Sequence, residues 1–450
     1  MSVQSVVAAT AEEASRPWPT PTRSWALVVI LVVAYVCAFA DRQILALLVD
    51  PIKRDLGISD TQFSLLNGLA FSMFYTVMGL PLAWLADRGS RRTLVVVCIN
   101  IWSLMTAACG AVSTFWGLFL ARMGVGAGEA GLSPAAYSMI ADCFPPEKRA
   151  RPMSVYATGS ILGAGLAFMI GGVVVHWASL AGTISLPLLG VVRPWQVAFL
   201  CVALPGPLIA ALLFLVREPE RRGEAAQRTS QTSLLDFLRR RLRVFLLLTF
   251  AFSISGMVIA SYKAWAPAML MRKFGWDAQT VGLAFGAMLI FGSATGVLAG
   301  GWLSDRLARR GRFDAPPLAS LIAVLVAAPF AIATPLMDNS IAVAALLSAA
   351  TFGFGLMQGL PAPALQAIAP NRLRARVFAT YFLIGNPIAF IVGPTAVALV
   401  SDTIFRDPTQ VGAALACISA VAAPLSAVCL LAALGPFVKA VREEDAARPI

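Results

Sequence analysis

Long apolar runs alternate with short polar breaks, many of them arginine-rich, along nearly the whole chain. A helix needs about 20 apolar residues to cross the hydrocarbon of a bilayer. Runs of that size occur at 25–49, 62–86, 94–112, 116–141, 152–177 and 194–216. After a polar stretch they resume at 244–271, 279–304, 316–337, 340–365, 378–400 and 411–437, with Asp338-Asn339 as the turn between the ninth and tenth. The pattern predicts an all-α membrane protein with twelve transmembrane helices in two six-helix bundles. A tail at 1–24 precedes the first bundle at 25–216; a central loop at 217–243 leads to the second at 244–437, and a tail at 438–450 follows. The end of the central loop, Leu234 to Arg243, mixes Leu235, Phe237, Leu238 and Leu242 with four arginines. It reads as a short interfacial helix resting on anionic lipid.

Composition agrees with lipid as the main solvent: 58% of the 450 residues are hydrophobic and only 13% charged. The net charge of +12 raises the question of nucleic acid, which the distribution of charge answers. Most of the 35 basic residues fall in alternate loops, including Arg88, Arg91 and Arg92, then Lys148, Arg149 and Arg151, then the central loop. That bias is the positive-inside signal of topology. It predicts a multi-pass protein of the plasma (inner) membrane with both termini cytoplasmic and no nucleic-acid partner. The first residues carry Glu12 and Glu13 and lack the charged start and small-residue cleavage site of a signal peptide, so the first run is expected to stay as a helix. Seven cysteines without short paired spacing and the single His176 suit neither a disulfide framework nor a metal site. No nucleophile–base constellation marks an enzyme. We expect no cofactor beyond a coupling proton, and a monomer whose partners are the bilayer and a small amphipathic substrate.

The chain repeats itself. Residues 83–94 read AWLADRGSRRTL and residues 301–312 read GWLSDRLARRGR, after the second and eighth spans. PPEKRAR at 145–151 is echoed by PNRLRAR at 370–376, and Tyr156 by Tyr381. Matching motifs in matching places show an internal duplication. The first pair resembles the signature loop of the major facilitator superfamily, with Gly301 kept in the second copy and Ala83 in the first. The resemblance implies two pseudo-symmetric bundles that rock about a central site. It also implies a gating latch of Asp87, Arg88, Arg91 and Arg92, mirrored by Asp305, Arg306, Arg309 and Arg310. An aspartate at a helix end can pair with arginines and with helix-end dipoles of its neighbours.

Charges inside the spans are costly and carry function by default. They are Asp41 and Arg42 on span one, Arg122 and Glu129 on span four, and Lys263 on span seven. Arg122 and Glu129 stand two turns apart and face the same way. Arginines stay charged and fork onto phosphate or carboxylate. Desolvation favours the neutral form of a carboxyl and a neighbouring arginine the charged form, so a carboxyl that loses its arginine to a substrate can take up a proton. We therefore expect Asp41 and Glu129 to couple protons and Arg42, Arg122 and Lys263 to hold substrate. Tyr35, Phe39, Met123, Tyr262, Trp265, Met357 and Gln358 offer large apolar surfaces with few polar anchors for the same site. Gly126-Ala-Gly128-Glu-Ala-Gly131 matches a nucleotide fingerprint in letters, but inside a membrane helix its small residues serve helix packing.

AFADRQILALLV at 38–49, LARMGVGAGEAGLSPAA at 120–136 and LADRGSRR resemble the Spinster family, as a bacterial-type member. That likeness implies a carrier of lysophospholipid or sphingolipid-like molecules with proton coupling, and gives Asp41, Arg42, Arg122 and Glu129 the family's polar-site roles. The alternative within the same superfamily is a proton-driven exporter of drugs or small organic anions.

Overall fold

The computed structural model describes residues 18–186, 190–221, 234–370 and 373–446. Among these residues, eleven helices are long and apolar enough to cross a membrane. They are α1 (Pro21–Leu47), α2 (Asp60–Arg88), α3 (Arg91–Cys109), α5 (Ala150–Ala181), α6 (Pro194–Leu215), α7 (Leu234–Phe274), α8 (Ala278–Arg309), α9 (Ala315–Leu336), α10 (Ser340–Ala367), α11 (Arg376–Phe405) and α12 (Pro408–Glu444). The twelfth, α4, is broken into Phe115–Glu129 and Leu132–Cys143, so neither piece alone spans. In hydrocarbon every backbone amide must find its partner within the helix, and long apolar helices satisfy that. Their ends are closed by local chemistry: Ser90 caps α3, Thr114 α4, Asp277 α8 and Asn339 α10, each by accepting a backbone N–H.

Two features refine the sequence-based expectation. The stretch from Leu234 is helical as far as a kink at Arg241 (φ −117°, ψ 21°), where this short helix joins the long span of α7. Arg241 turns inward and donates to the carbonyls of Ile368 (2.5 Å) and Ala440 (2.8 Å), while Arg239, Arg240 and Arg243 stay exposed. The second is a small antiparallel hairpin, β1 (Ile184–Leu186) with β2 (Gly190–Val192), between α5 and α6.

The duplication is visible in the backbone. Both α2 and α8 carry a π-helical segment, Leu66–Met73 and Leu289–Ser293, each ending between three and four turns before its motif aspartate. Helices α1–α6 form one half and α7–α12 the other. The halves meet along α5 with α8, α2 with α11, and α1 with α7. Glycines set the closeness of these seams: a Cβ on Gly165 would lie 2.6 Å from the carbonyl oxygen of Gly286, and one on Gly68 2.6 Å from that of Phe390. Gly126 and Gly128 do the same within the first half, against Phe71 of α2 and Trp102 of α3.

All described polar contacts between the halves lie at the end away from the arginine-rich loops, and form a seal. Arg272 of α7 chelates Asp60 with both Nη atoms at 2.9 Å and reaches Asp50 at 2.8 Å. Lys53 holds the same Asp60 at 2.5 Å. Thr61 donates twice to Asp402 at 2.7 Å, Ser64 to Thr395 at 3.1 Å, and His176 lies 3.2 Å from Asp277. At the arginine-rich end, every described hydrogen bond and ion pair stays within one half. The molecule is therefore closed at one end and open at the arginine-rich end.

Candidate functional site

Between the halves lies a cavity of about 340 Å³. Its wall is built from Tyr35, Phe39, Arg42 and Gln43 of α1, Asn67, Phe71, Ser72 and Tyr75 of α2, and Arg122 of α4; from the other half it takes Lys263, Gln358, Asn386 and Phe390. A second chamber of about 250 Å³ opens from it and shares Lys263, Gln358, Phe382, Asn386 and Phe390.

One helix places two neighbours differently. Successive residues on α1 are turned by about 100°, so Asp41 points into the protein, 2% exposed, while Arg42 reaches the cavity. Arg42 pairs across to α4, its Nε 2.5 Å from Oε2 of the fully buried Glu129. The guanidinium lies against three rings, 4.6 Å from the centroids of both Phe71 and Tyr75, which stack on each other, and 5.2 Å from Phe39. Arg122, 1% exposed, lies 5.3 Å from the Phe71 centroid and donates through Nη1 to the backbone carbonyl of Asp41 at 3.0 Å. The four charges balance two against two. The set is nevertheless under-satisfied: Asp41 Oδ1, Glu129 Oε1 and Arg122 Nε and Nη2 are buried without a hydrogen-bond partner. Buried polar groups are normally paired, and one that is not calls for an explanation in strain, function, or a bound water or ion. Glu129 also sits at the last turn of the first α4 segment, directly before the break at Ala130-Gly131.

The structure brings Tyr35, Phe39, Arg42, Arg122, Lys263 and Gln358 onto the main cavity wall, and Met357 onto the second chamber. Asp41 and Glu129 stand behind Arg42. Tyr262 and Trp265 depart from the expectation. Each is 1% exposed and its polar tip is already used, Tyr262 on the carbonyl of Ala331 and Trp265 on that of Pro394 at 2.9 Å. They brace α7 from behind. Met123 is half-buried and lines neither chamber. Sequence reasoning missed Gln43 of α1 and, above all, the contribution of α2 and α11, with Asn67, Phe71, Ser72 and Tyr75 on the one and Asn386 and Phe390 on the other. The neighbouring π segments could only be seen once the backbone was known.

The expected latch is not engaged in this state. Asp87, Arg88, Asp305, Arg306, Arg309 and Arg310 are exposed, and neither aspartate carboxylate has a partner among the described residues. Arg88 and Arg306 instead lie over Trp84 and Trp302. Arg91 is buried within its own half, binding Asp142, Ser138 at 2.9 Å, Glu218 at 3.3 Å and the carbonyl of Pro219 at 2.7 Å. Arg92 holds the carbonyls of Phe214 and Val216. Arg221 caps the end of α2 through the carbonyls of Ala86, Asp87 and Gly89. The start of the central loop is thus strapped onto the motif loop.

Comparison with known proteins agrees with this architecture. Residues 31–394 match the model of the Major Facilitator Superfamily. The chain is 30% identical over 439 residues to an MFS-type efflux pump of Mycolicibacterium smegmatis, covering 94% of this chain and 96% of that protein. It is 31% identical over 334 residues to human Protein spinster homolog 1, covering 69% of this chain but only 60% of that longer protein. Among solved structures, a bacterial homolog of the human lysosomal transporter Spinster in an inward-facing, unoccupied conformation superposes with a TM-score of 0.77 at 25% identity, over 96% of this chain and 99% of that one. Its inward-facing, occupied form gives 0.75 at 26% identity, over 94% of this chain and 98% of that one. The chain belongs to the major facilitator superfamily, and within it is a bacterial-type relative of the Spinster proteins.

Proposed function

We propose that this secondary transporter is a proton-coupled carrier of amphipathic molecules with an anionic or zwitterionic head, lysolipid or sphingolipid-like in class. The observation that carries this reading is the Arg42–Glu129 pair on the cavity wall: a substrate-facing cation held by a carboxylate with one unpartnered oxygen. A proton on Glu129 cancels the charge that holds Arg42, and the freed guanidinium takes the substrate's head. Asp41 is a second proton station beside Arg122. Loss of the proton on the other side restores the pair and releases the substrate. The aromatic lining by Phe39, Phe71, Tyr75 and Phe390 suits an apolar chain next to that head. Asp87 and Asp305 with their arginines act when the arginine-rich end closes. By the arginine bias that end is cytoplasmic, in the inner membrane, with both termini on the same side. The carrier works as a monomer in the bilayer, without a cofactor besides the proton.

A second reading, export of drugs or small organic anions, is favoured by the full-length likeness to an efflux pump. A chain-length series separates the two. In proteoliposomes, competition by lysophospholipids should strengthen as the acyl chain grows, by about 0.8 kcal/mol per buried methylene until the chamber is full. Inhibition independent of chain length, beside saturable transport of a short organic anion, would replace the first reading with the second.

A further inference from the structure

The interior charges of the first half cancel, Asp41 and Glu129 against Arg42 and Arg122. The second half contributes one charge to the interior, Lys263 of α7, and among the described residues it has neither hydrogen bond nor ion pair. Its ammonium group borders both chambers, with Gln358 of α10 and Asn386 of α11 on the same walls. An ammonium left unpaired in a membrane interior is expensive unless a ligand or water meets it. Nothing local obliges a lysine here for packing, since Tyr262 and Trp265 on either side already fix α7 through Ala331 and Pro394.

The second chamber shows where the rest of a ligand would lie. It follows α7 from Lys263 back to Phe252, about 16 Å at 1.5 Å per residue. Phe378, Phe382 and Phe390 of α11 line its other wall, and Ser253 and Tyr381 stand near the Phe252 end. The slot is mostly apolar, has its cation at one end, and runs toward the open, arginine-rich end of the molecule.

We infer that Lys263 is the primary anchor for the substrate's anionic group, with the apolar chain lying along α7 and α11 toward the arginine-rich end. This rests on the carrier reading above and sharpens it. The substrate carries net negative charge, its head is held first by the second half, and Arg42 is a conditional second hold that proton uptake by Glu129 makes available. Binding at Lys263 and release of Arg42 then involve opposite halves, so a bound head joins them across the cavity.

The test is saturable binding to the full-length protein in nanodiscs, using radiolabelled lysophosphatidylglycerol and an uncharged monoacylglycerol of the same chain. The wild-type protein should prefer the anionic probe by about tenfold or more, the scale of one hydrogen bond to a charged group. Lys263→Gln should bring the ratio to about one while monoacylglycerol still binds, which shows that the variant is folded; Lys263→Arg should keep the preference. A wild-type protein with no preference, or a Lys263→Gln protein that retains it, overturns the assignment. Proton coupling is read separately, from the effect of a pH gradient on wild-type flux. A flux without gradient dependence would remove the coupling scheme and leave the Lys263 result standing.

Discussion

Removing Arg272 should unlock the sealed end. Its guanidinium, only 6% exposed, grips Asp60 with two hydrogen bonds of 2.9 Å, Asp50 at 2.8 Å and the carbonyl of Pro408 at 2.9 Å. The contacts with Asp50 and Asp60 tie the second half to the first, so they exist only while that end is closed, whereas the Pro408 contact stays within the second half. Truncating one partner of a buried ion pair costs about 3–5 kcal/mol. Asp60 keeps Lys53, which places the loss near the low end. About 3 kcal/mol corresponds to a change of roughly 150-fold in the equilibrium between closed and open at this end. The assay is the distance between spin labels on Arg54→Cys and Gln410→Cys, both exposed at the sealed end on opposite halves. A background without the native cysteines is needed, because Cys201 and Cys417 are exposed. Arg272→Ala should add a long-distance population absent from the parent, and Arg272→Lys a smaller one. An Arg272→Ala distribution that superposes on the parent's would show that the network does not hold the seal.

Two further outcomes follow from contacts at opposite ends. A Cβ on Gly282 would meet the Phe168 carbonyl oxygen at 2.4 Å, whereas one on Gly301 would meet nothing within 4 Å. Gly282→Ala should therefore widen the α5–α8 seam and lower thermal stability by about 1–3 kcal/mol, with Gly301→Ala unchanged in the same melt. At the other end, partial burial pushes the Glu218 carboxyl up, but hydrogen bonds from Ser90 and Arg91 prevail and hold it below the usual carboxylate range. A depressed folded pKa means stability that is present above about pH 4.3 and lost as pH falls through the lowered value. Glu218→Gln should cost about 1 kcal/mol at pH 7, discounted for exposure, and nothing in strong acid; an equal deficit at both pH values would refute the charged strap.

Much of this architecture was legible because lipid imposes few rules. Apolar length located the spans, although α4 breaks beside Glu129 because Gly126 and Gly128 serve close packing while Ala130-Gly131 interrupts the helix. The repeated Asp-Arg loops announced two halves, and the buried charges announced a site. Pairing was not legible. Arg122 and Glu129 share a helix face, yet Glu129 binds Arg42 of another helix and Arg122 turns to the backbone of Asp41. Spacing along one helix says which residues share a face, not which helix lies opposite. Tyr262 and Trp265 looked like cavity walls for the same reason, since their backing from α9 and α11 is a tertiary fact. The sealing role of Asp50, Asp60 and Arg272 was likewise hidden in loop ends that read as ordinary solvent-facing charge.

The central claim is that proton uptake at Glu129 switches Arg42 between carboxylate and substrate. The most direct measurement is flux of labelled lysophospholipid into proteoliposomes, with and without a pH gradient, for the wild-type protein and for Glu129→Gln. The account predicts gradient-stimulated flux in the wild-type protein, and in Glu129→Gln binding that persists with the stimulation gone, because a neutral amide permanently frees Arg42. Equal gradient stimulation in both proteins would contradict it.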